Sequence, residues 1–443
     1  MRVMKWSMIA LAVAAGTSQL AIASSQDESK GFVEDSQLGV TLRNLYFSRD
    51  YRNDDRDADG ARQSRSAQWG QGFIGTFESG FTQGTVGVGF DAIGLLGLKL
   101  DGGKGTTGVG LFPTNSDGSP ADSYSEAHGA VKLRISDTTL KYGGQFTALP
   151  VFATDDSRLL PEVAEGFLLT SEEINGLVLN AGHFTRLNAQ AQSYKDSIGG
   201  RDSDTGVKNP GLTEANVFGG TYAITDGLST SLYYSRVEDH FRKWYGNVNW
   251  AIPLSDKQGL VFDFNIYDTK SIGDNRTGAW VTKADGTDKL DNIAASLSGA
   301  YNIGAHTFTL AYQKVTGDGD YAYGIDGGGT VFLANSIARS DFNAEDEKSW
   351  QARYDLNFAE YGIPGLTFLT RYAHGSGATT RTTNNGKEWE RDIEAKYVLQ
   401  EGAAKDLSFR IRQATYRSSD GVYYGSSSID ELRLIVEYPL SIL

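Results

Sequence analysis

The chain has no cysteine, so neither a disulfide framework nor a thiolate metal site is open to it. Proline is scarce, at 8 of 443 residues, and no Pro-rich or Ser-rich linker divides the sequence. Basic residues are outnumbered 41 to 55, and the resulting net charge of −14 excludes bulk attraction to nucleic acid or anionic surfaces. Beyond the N-terminus no run of about 18 apolar residues occurs, which excludes a helical membrane span. What the chain does hold is 53 Gly, 22 Tyr and 21 Phe, a stock of turn glycine and strand aromatics.

Residues 1–23 read as a secretory signal peptide, with Arg2 and Lys5 ahead of the apolar run Met8–Gly16 and an Ala21-Ile22-Ala23 cleavage site. Cleavage there leaves 420 residues, 24–443, carrying 39 basic and 55 acidic side chains. For an exported chain of that length, the absence of cysteine fits a fold that needs no staples.

The clearest pattern is Asp406–Tyr416, DLSFRIRQATY, followed by Glu431–Leu443, ELRLIVEYPLSIL. At a two-residue period Leu407, Phe409 and Ile411 share one face while Arg410 and Arg412 share the other. The second segment repeats the scheme, with Leu432, Leu434 and Val436 opposite Glu431, Arg433 and Glu437. A soluble sheet with one wet face alternates in the same way. The connections separate the two readings. Those between Ile224 and Leu228, Pro253 and Gly259, Ile303 and His306, Phe358 and Gly365, and Gln400 and Asp406 are short. Those between Asp268 and Leu290, Thr316 and Lys348, His374 and Glu388, and Ser418 and Asp430 are long and polar. Strict alternation of the two predicts an all-β, transmembrane antiparallel β-barrel of about 18 strands, with short turns at one end and long loops at the other. Residues 24–443 then form one barrel domain in the outer membrane of a Gram-negative bacterium, surrounded by bilayer lipid and lipopolysaccharide. Pro439 is expected to break the phase of the closing strand.

An arginine facing lipid at mid-membrane costs about 2–4 kcal/mol, so the charged faces must point into the lumen. Closing the barrel brings the first strand against the last, and Arg49, Arg433, Arg412, Arg410 and Lys396 then line one wall. Arg43 shares the face of Arg49, and Arg353 and Arg371 also turn inward. Pairing with inward carboxylates such as Glu437 or Asp392 is the alternative reading of these bases. The connection 146–166, with Asp155, Asp156 and Arg158 among Leu159, Leu160 and Val163, is too apolar for a free loop and is expected to fold inward. The insertion 316–348 is read likewise from its Val331–Ala334 run, with Ser336, Arg339 and Asp341 available to a solute. Five histidines are present, His128, His183, His240, His306 and His374, but none sits in a recognisable nucleophile setting, and no catalysis is expected. The run Asp55-x-Asp57-x-Asp59-Gly60 starts like a calcium loop but has Ser66 where the closing Glu belongs, so no metal site is expected.

Several stretches carry a specific resemblance. They include GFVEDSQLGVTLRNLYFSRD (Gly31–Asp50), AGHFT (Ala181–Thr185), HTFTLAYQKV (His306–Val315), VFLANS (Val331–Ser336), EKSWQARYDLNF (Glu347–Phe358), AKDLSFRIRQA (Ala404–Ala414) and LRLIVEYPLSIL (Leu432–Leu443). Over essentially its whole mature length the chain resembles the OprD-type outer-membrane carboxylate channels. The resemblance implies a monomeric porin barrel without a cofactor, its third and seventh loops folded into the lumen. It also implies a basic ladder at Arg49, Lys396, Arg410, Arg412 and Arg433, with Arg65 the nearest match to one further rung. The acidic counter-pocket of the seventh loop maps to Ser336 and Asp341, and Arg339 stands where the prototype has tyrosine. By this likeness the solutes are small carboxylates, basic amino acids such as arginine or histidine in the nearest branch, or else simple and aromatic acids such as benzoate. A barrel hydrolase is the alternative of another class.

Overall fold

The two-residue alternation is realised as long strands in a computed structural model, which describes residues 26–52, 64–193, 211–276, 290–380, 383–419 and 428–443. The expected signal peptide, 1–23, and the Asp55–Gly60 run lie outside the described residues. In chain order the strands are β1 (Gln37–Tyr51), β2 (Arg65–Glu78), β3 (Gly87–Asp101), β4 (Ser123–Ile135), β5 (Thr138–Gln145), a small pair β6 (Ala148–Leu149) and β7 (Phe152–Ala153), β8 (Val163–Ile174), β9 (Leu177–Asn188) and β10 (Ala215–Thr225). There follow β11 (Leu228–Val237), β12 (Phe241–Ser255), β13 (Gln258–Ser271), β14 (Asp291–Ile303), β15 (His306–Asp318), β16 (Lys348–Asn357), β17 (Leu366–Ala378), β18 (Gly386–Val398), β19 (Ser408–Ser418) and β20 (Ser428–Ser441). All but β6 and β7 belong to one 18-stranded antiparallel sheet.

Each strand of the sheet pairs with the next, and β1 pairs with β20 from Gly39–Ser441 to Tyr51–Ile429, so the sheet closes without an edge. Pro439 does not break that register. It lies opposite Thr41 on the β1 side, beyond Glu437, where the pairing with β19 has already ended. Complete closure predicts heat-modifiable migration: the unboiled protein runs faster than the boiled protein on a denaturing gel, and equal mobility with recovery in the soluble fraction would rule out the barrel.

The outer face is apolar and exposed, with Leu232 at 62%, Phe218 at 63% and Leu310 at 69%. Aromatic contacts band it at both ends. Phe308–Tyr354 and Trp250–Phe262 lie toward the turn end, and Tyr234–Trp244, Trp350–Tyr372 and Tyr372–Trp389 toward the loop end. Such a band between aromatic girdles is what a lipid-embedded barrel requires.

Strict alternation of short and long connections does not hold. The loop-end connection between β11 and β12 has only residues 238–240, a tight turn with Asp239 at φ 61°, while the turn end includes the longer connections 79–86 and 399–407.

The hydrophobic core lies inside the barrel, between the wall and its loops. Segment 146–162 buries Val151, Phe152, Leu159 and Leu160, and Phe152 stacks on the lumen-facing Phe184 of β9 at 4.2 Å. Segment 319–347 buries Tyr321, Leu333 and Phe342 and binds the wall through Phe332 N–H to the Tyr267 hydroxyl and Asn335 to Ser349. A third loop, 102–122, also turns inward, burying Val109, Leu111 and Phe112 against Leu45, Phe47 and Leu159. Glycine makes these close approaches possible. A Cβ on Gly70 would lie 2.6 Å from Phe112, and one on Gly327, at φ 96°, would lie 1.8 Å from the carbonyl of Ala153.

Candidate functional site

Because directly opposed residues share a face, the register fixes which charges meet in the lumen. Lys396 lies opposite Arg410, and Arg412 lies opposite both Glu394 and Arg433. Glu394 accepts from Arg412 Nε at 2.6 Å and lies 3.7 Å from Arg410 Nε. Glu431 lies between Arg433 Nη2 at 2.6 Å and Arg49 Nε at 2.9 Å. Arg43 is doubly held: its Nη1 and Nη2 grip Asp156 at 2.6 and 3.0 Å, a bidentate fork, while its Nε donates to Glu437 at 2.7 Å. The five residues read from sequence as one wall are thus brought together on β1, β18, β19 and β20.

Arg65 is not among them. It stands opposite Asp50, one residue off the lumen pair Arg49–Ser66, so its side chain emerges on the outer face and donates to Ser48 Oγ and the Tyr46 hydroxyl. A shift of one residue in a period of two is a change of side.

Segment 146–162 completes the wall. Asp156 joins Arg43, and Asp155 accepts from the Ser157 N–H and hydroxyl at 2.8 and 2.7 Å. Arg158 donates to the Val109 carbonyl at 3.1 Å and has no carboxylate within 4 Å among the described residues. Burial, with Arg433 and Arg49 close by, pulls its guanidinium down to about 10, so it stays charged at neutral pH. Phe47, fully buried, lies under three guanidiniums, Arg433 at 4.3 Å, Arg49 at 4.9 Å and Arg158 at 5.4 Å. Its ring face offsets part of their mutual repulsion. A recess in this wall is lined by Arg43, Arg158, Arg410, Arg412 and Arg433 together with Asp156 and Glu437. Counting Arg49 and Lys396, seven cations face four carboxylates, Asp156, Glu394, Glu431 and Glu437. Both sequence readings of the inward bases hold at once: most are paired, and a surplus of positive charge remains.

Segment 319–347 supplies the other side. Asp341 accepts from the hydroxyls of Ser336 and Tyr323. Burial pushes its carboxyl up, the two hydroxyls draw it down, Asp155 pushes it up again and Arg339 draws it down. The loop tip is pinned to β18 by Glu390, which accepts the N–H groups of Arg339 and Ser340 at 2.8 Å each, and by Glu388, which accepts from Ser340 Oγ at 2.8 Å. Arg433 reaches the same tip through the Ala338 carbonyl at 3.0 Å. The two loops also meet each other. Glu162, its carboxyl pushed up to about 8 by burial, accepts the N–H of Asp155 at 2.8 Å and of Gly328 at 3.0 Å.

Sequence reasoning missed three features of this site. Arg43 is central rather than a neighbour of the ladder, because Asp156 reaches it from a loop. Segment 102–122 was legible in Gly108–Pro113, GVGLFP, which is apolar for a loop by the same test that found 146–166. The Gly327–Gly329 run marks the seam between the loops. Three of the five histidines hydrogen-bond neighbouring side chains, His128 with Glu126, His183 with Asn216, and His306 with Tyr354 and Tyr361, and His374 stacks on Trp350 at 6.4 Å.

The geometry agrees with known proteins. The family profile described as outer membrane porin, OprD family, matches residues 30–442. Porin D of Pseudomonas aeruginosa is 49% identical over 473 aligned positions, covering 100% of both chains. The crystal structure of P. aeruginosa OpdK with vanillate is 34% identical, with a TM-score of 0.79 over 93% of this chain and 100% of that one. Acinetobacter baumannii OccAB1, also 34% identical, has a TM-score of 0.84 over 95% of this chain and 100% of that one.

Proposed function

Since the chain belongs to the OprD family, and is an outer-membrane porin of the Gram-negative type rather than an enzyme, we propose that it passes small carboxylate-bearing solutes, basic amino acids such as arginine or histidine first among them. The observation that carries this reading is the wall of seven cations over four carboxylates, met at Arg433 by the loop tip that carries Asp341. A solute with a carboxylate at one end and a cation at the other finds a partner for each. Its carboxylate moves between guanidiniums spaced about 7 Å apart along a strand, as Arg410 and Arg412 are. Arginine suits this task because its planar fork binds a carboxylate at two points and keeps its charge. At a wetted lumen surface each contact is worth about 0–1 kcal/mol, which favours transit over capture. In this reading the channel is a monomer among bilayer lipid and lipopolysaccharide, a state compatible with a barrel that one chain closes.

The test is uptake into proteoliposomes. Asp341→Asn is expected to lower arginine uptake by up to about fivefold, the value of one exposed charged contact, and to leave benzoate uptake unchanged. Equal loss of both solutes would make Asp341 a structural residue. A second reading, a channel for simple or aromatic acids, is favoured by Arg339, whose charge offsets that of Asp341, and by the vanillate held by OpdK. Under it the same substitution leaves arginine uptake untouched.

A further inference from the structure

On the outer wall, one row of cations stands without counter-charge. Lys314 on β15 lies directly opposite Lys348 on β16, and the row continues through Ser376 on β17 to Lys387 on β18. These side chains point outward, as do Tyr312, Trp350 and Trp389, each two residues further along the same strands. None of the three lysines has a carboxylate within 4 Å among the described residues. Several other outward bases near the loop end do, Arg236 with Glu238 at 3.0 Å, Lys270 with Asp291 at 3.2 Å and Arg52 with Asp430 at 2.8 Å, while Arg242, opposite Arg236 and Lys270, is a single base without an ion pair among the described residues. Like charges placed directly across a strand pair destabilise a sheet, and a chain with 55 acidic residues had carboxylates available to offset them. Among the described residues no carboxylate offsets the row, which leaves room for an anion from outside the chain.

The surroundings indicate which anion. Toward the membrane the row borders an aromatic plate, in which Trp350 packs on Tyr372 at 5.6 Å and on His374 at 6.4 Å, and Tyr372 packs on Trp389 at 5.8 Å. Aromatics of this kind mark the level where acyl chains give way to headgroups. The loop end faces the outer leaflet, whose lipid carries phosphates on a disaccharide. Four adjacent strands space the row over about 14 Å, room for such a disaccharide with a phosphate toward each end. Lysine fits the place, since its aliphatic stem lies along apolar surface while its ammonium reaches the headgroup.

We propose that Lys314, Lys348 and Lys387, with the Ser376 hydroxyl, form a binding site for the phosphorylated lipid A portion of lipopolysaccharide, its phosphates on the lysines and its acyl chains over Tyr312, Trp350 and Tyr372. The proposal rests on the outer-membrane placement and not on the solute reading above.

The test uses full-length mature protein refolded into detergent free of lipopolysaccharide, with binding read by native mass spectrometry and by the emission of the tryptophans at the site. The probes are bisphosphorylated lipid A, lipid A stripped of its phosphates, phosphatidylglycerol and inorganic phosphate. The wild type is expected to bind bisphosphorylated lipid A more tightly than the other three. The triple variant Lys314→Gln, Lys348→Gln, Lys387→Gln is expected to bind it on the order of a hundredfold more weakly, the effect of three charges near an anionic surface. Single-channel conductance should stay unchanged, and the corresponding triple change to arginine should keep the affinity. Equal binding of stripped lipid A, of phosphatidylglycerol or of inorganic phosphate overturns the proposal, as does full affinity in the glutamine variant. If that variant fails to fold, the wild-type comparison of lipid A with and without phosphates decides alone.

Discussion

Replacing Arg410 and Arg412 together with alanine is expected to lower the uptake of carboxylate-bearing solutes several-fold, with a ceiling of about thirtyfold set by two contacts of up to about 1 kcal/mol each, while the barrel stays heat-modifiable. Both guanidiniums stand on the lumen face of β19 and share Glu394, at 3.7 and 2.6 Å. Their removal cuts the cation surplus of the wall and leaves Glu394 without its two nearest partners, so a carboxylate solute meets both a missing rung and a newly exposed negative charge. Ion selectivity measured in planar bilayers should therefore shift toward cations. The companion variant that adds Glu394→Gln separates the two effects: it removes the newly exposed negative charge but does not return the rungs. If the triple variant recovers full flux, the exposed carboxylate accounts for the loss and the ladder has no stepwise role. If the double variant conducts carboxylates normally, the channel selects by size alone. Lumen substitutions of this kind tune selectivity far more than they disturb the barrel.

Lys243→Met is expected to release the long inward loop and to abolish solute discrimination, with a higher single-channel conductance. Lys243 on β12 meets Asp326 of segment 319–347 at 2.7 Å, and both side chains are fully buried. The ammonium also lies 4.5 Å from the rings of both Phe241 and Tyr321, and Asp326 accepts a further bond from Thr330 at 3.1 Å. Removing one partner of a buried pair leaves the other charge stranded and typically costs 3–5 kcal/mol. Much of that cost is relieved if the loop leaves the wall and Asp326 reaches water. The double change Lys243→Met, Asp326→Leu removes both charges and should return conductance and selectivity close to the wild-type values, since a hydrophobic pair can fill such a site without loss. Limited proteolysis gives an independent reading: segment 319–347 should be cut in the single variant and protected in the double. Unchanged conductance and protection in a correctly inserted Lys243→Met protein would show that the pair does not hold the loop.

The barrel was legible because its cause is local. A strand between lipid and water must alternate at a period of two, and Asp406–Tyr416 and Glu431–Leu443 display that alternation without help from the rest of the chain. The lumen position of Arg410, Arg412, Arg433 and Lys396 followed from the same rule. Arg65 came from the resemblance alone, and there an offset of one residue in the match reverses the face, since Ser66 and not Arg65 pairs with Arg49. Docking of loops onto the wall is a tertiary event, and it left only composition as a trace. The apolar content of Phe146–Gly166 and Val331–Ala334 was enough to suggest burial, whereas the shorter Gly108–Pro113 was passed over. The pairing of Arg43 with Asp156 lay beyond reach, because it joins residues 113 positions apart through a loop whose path no periodicity encodes.

The seam between the two main inward loops has a mechanical consequence. Glu162 holds the backbone of both, and the Gly327 region lies against Ala153 with no room for a side chain between them. Arg43 fastens the first loop to β1, while Glu390 and the Lys243 pair fasten the second to β18 and β12. The two behave as one strut braced across the bore and anchored at opposite ends. A load on any one anchor is therefore shared with the others through the seam, and loosening one is expected to be felt across the whole brace.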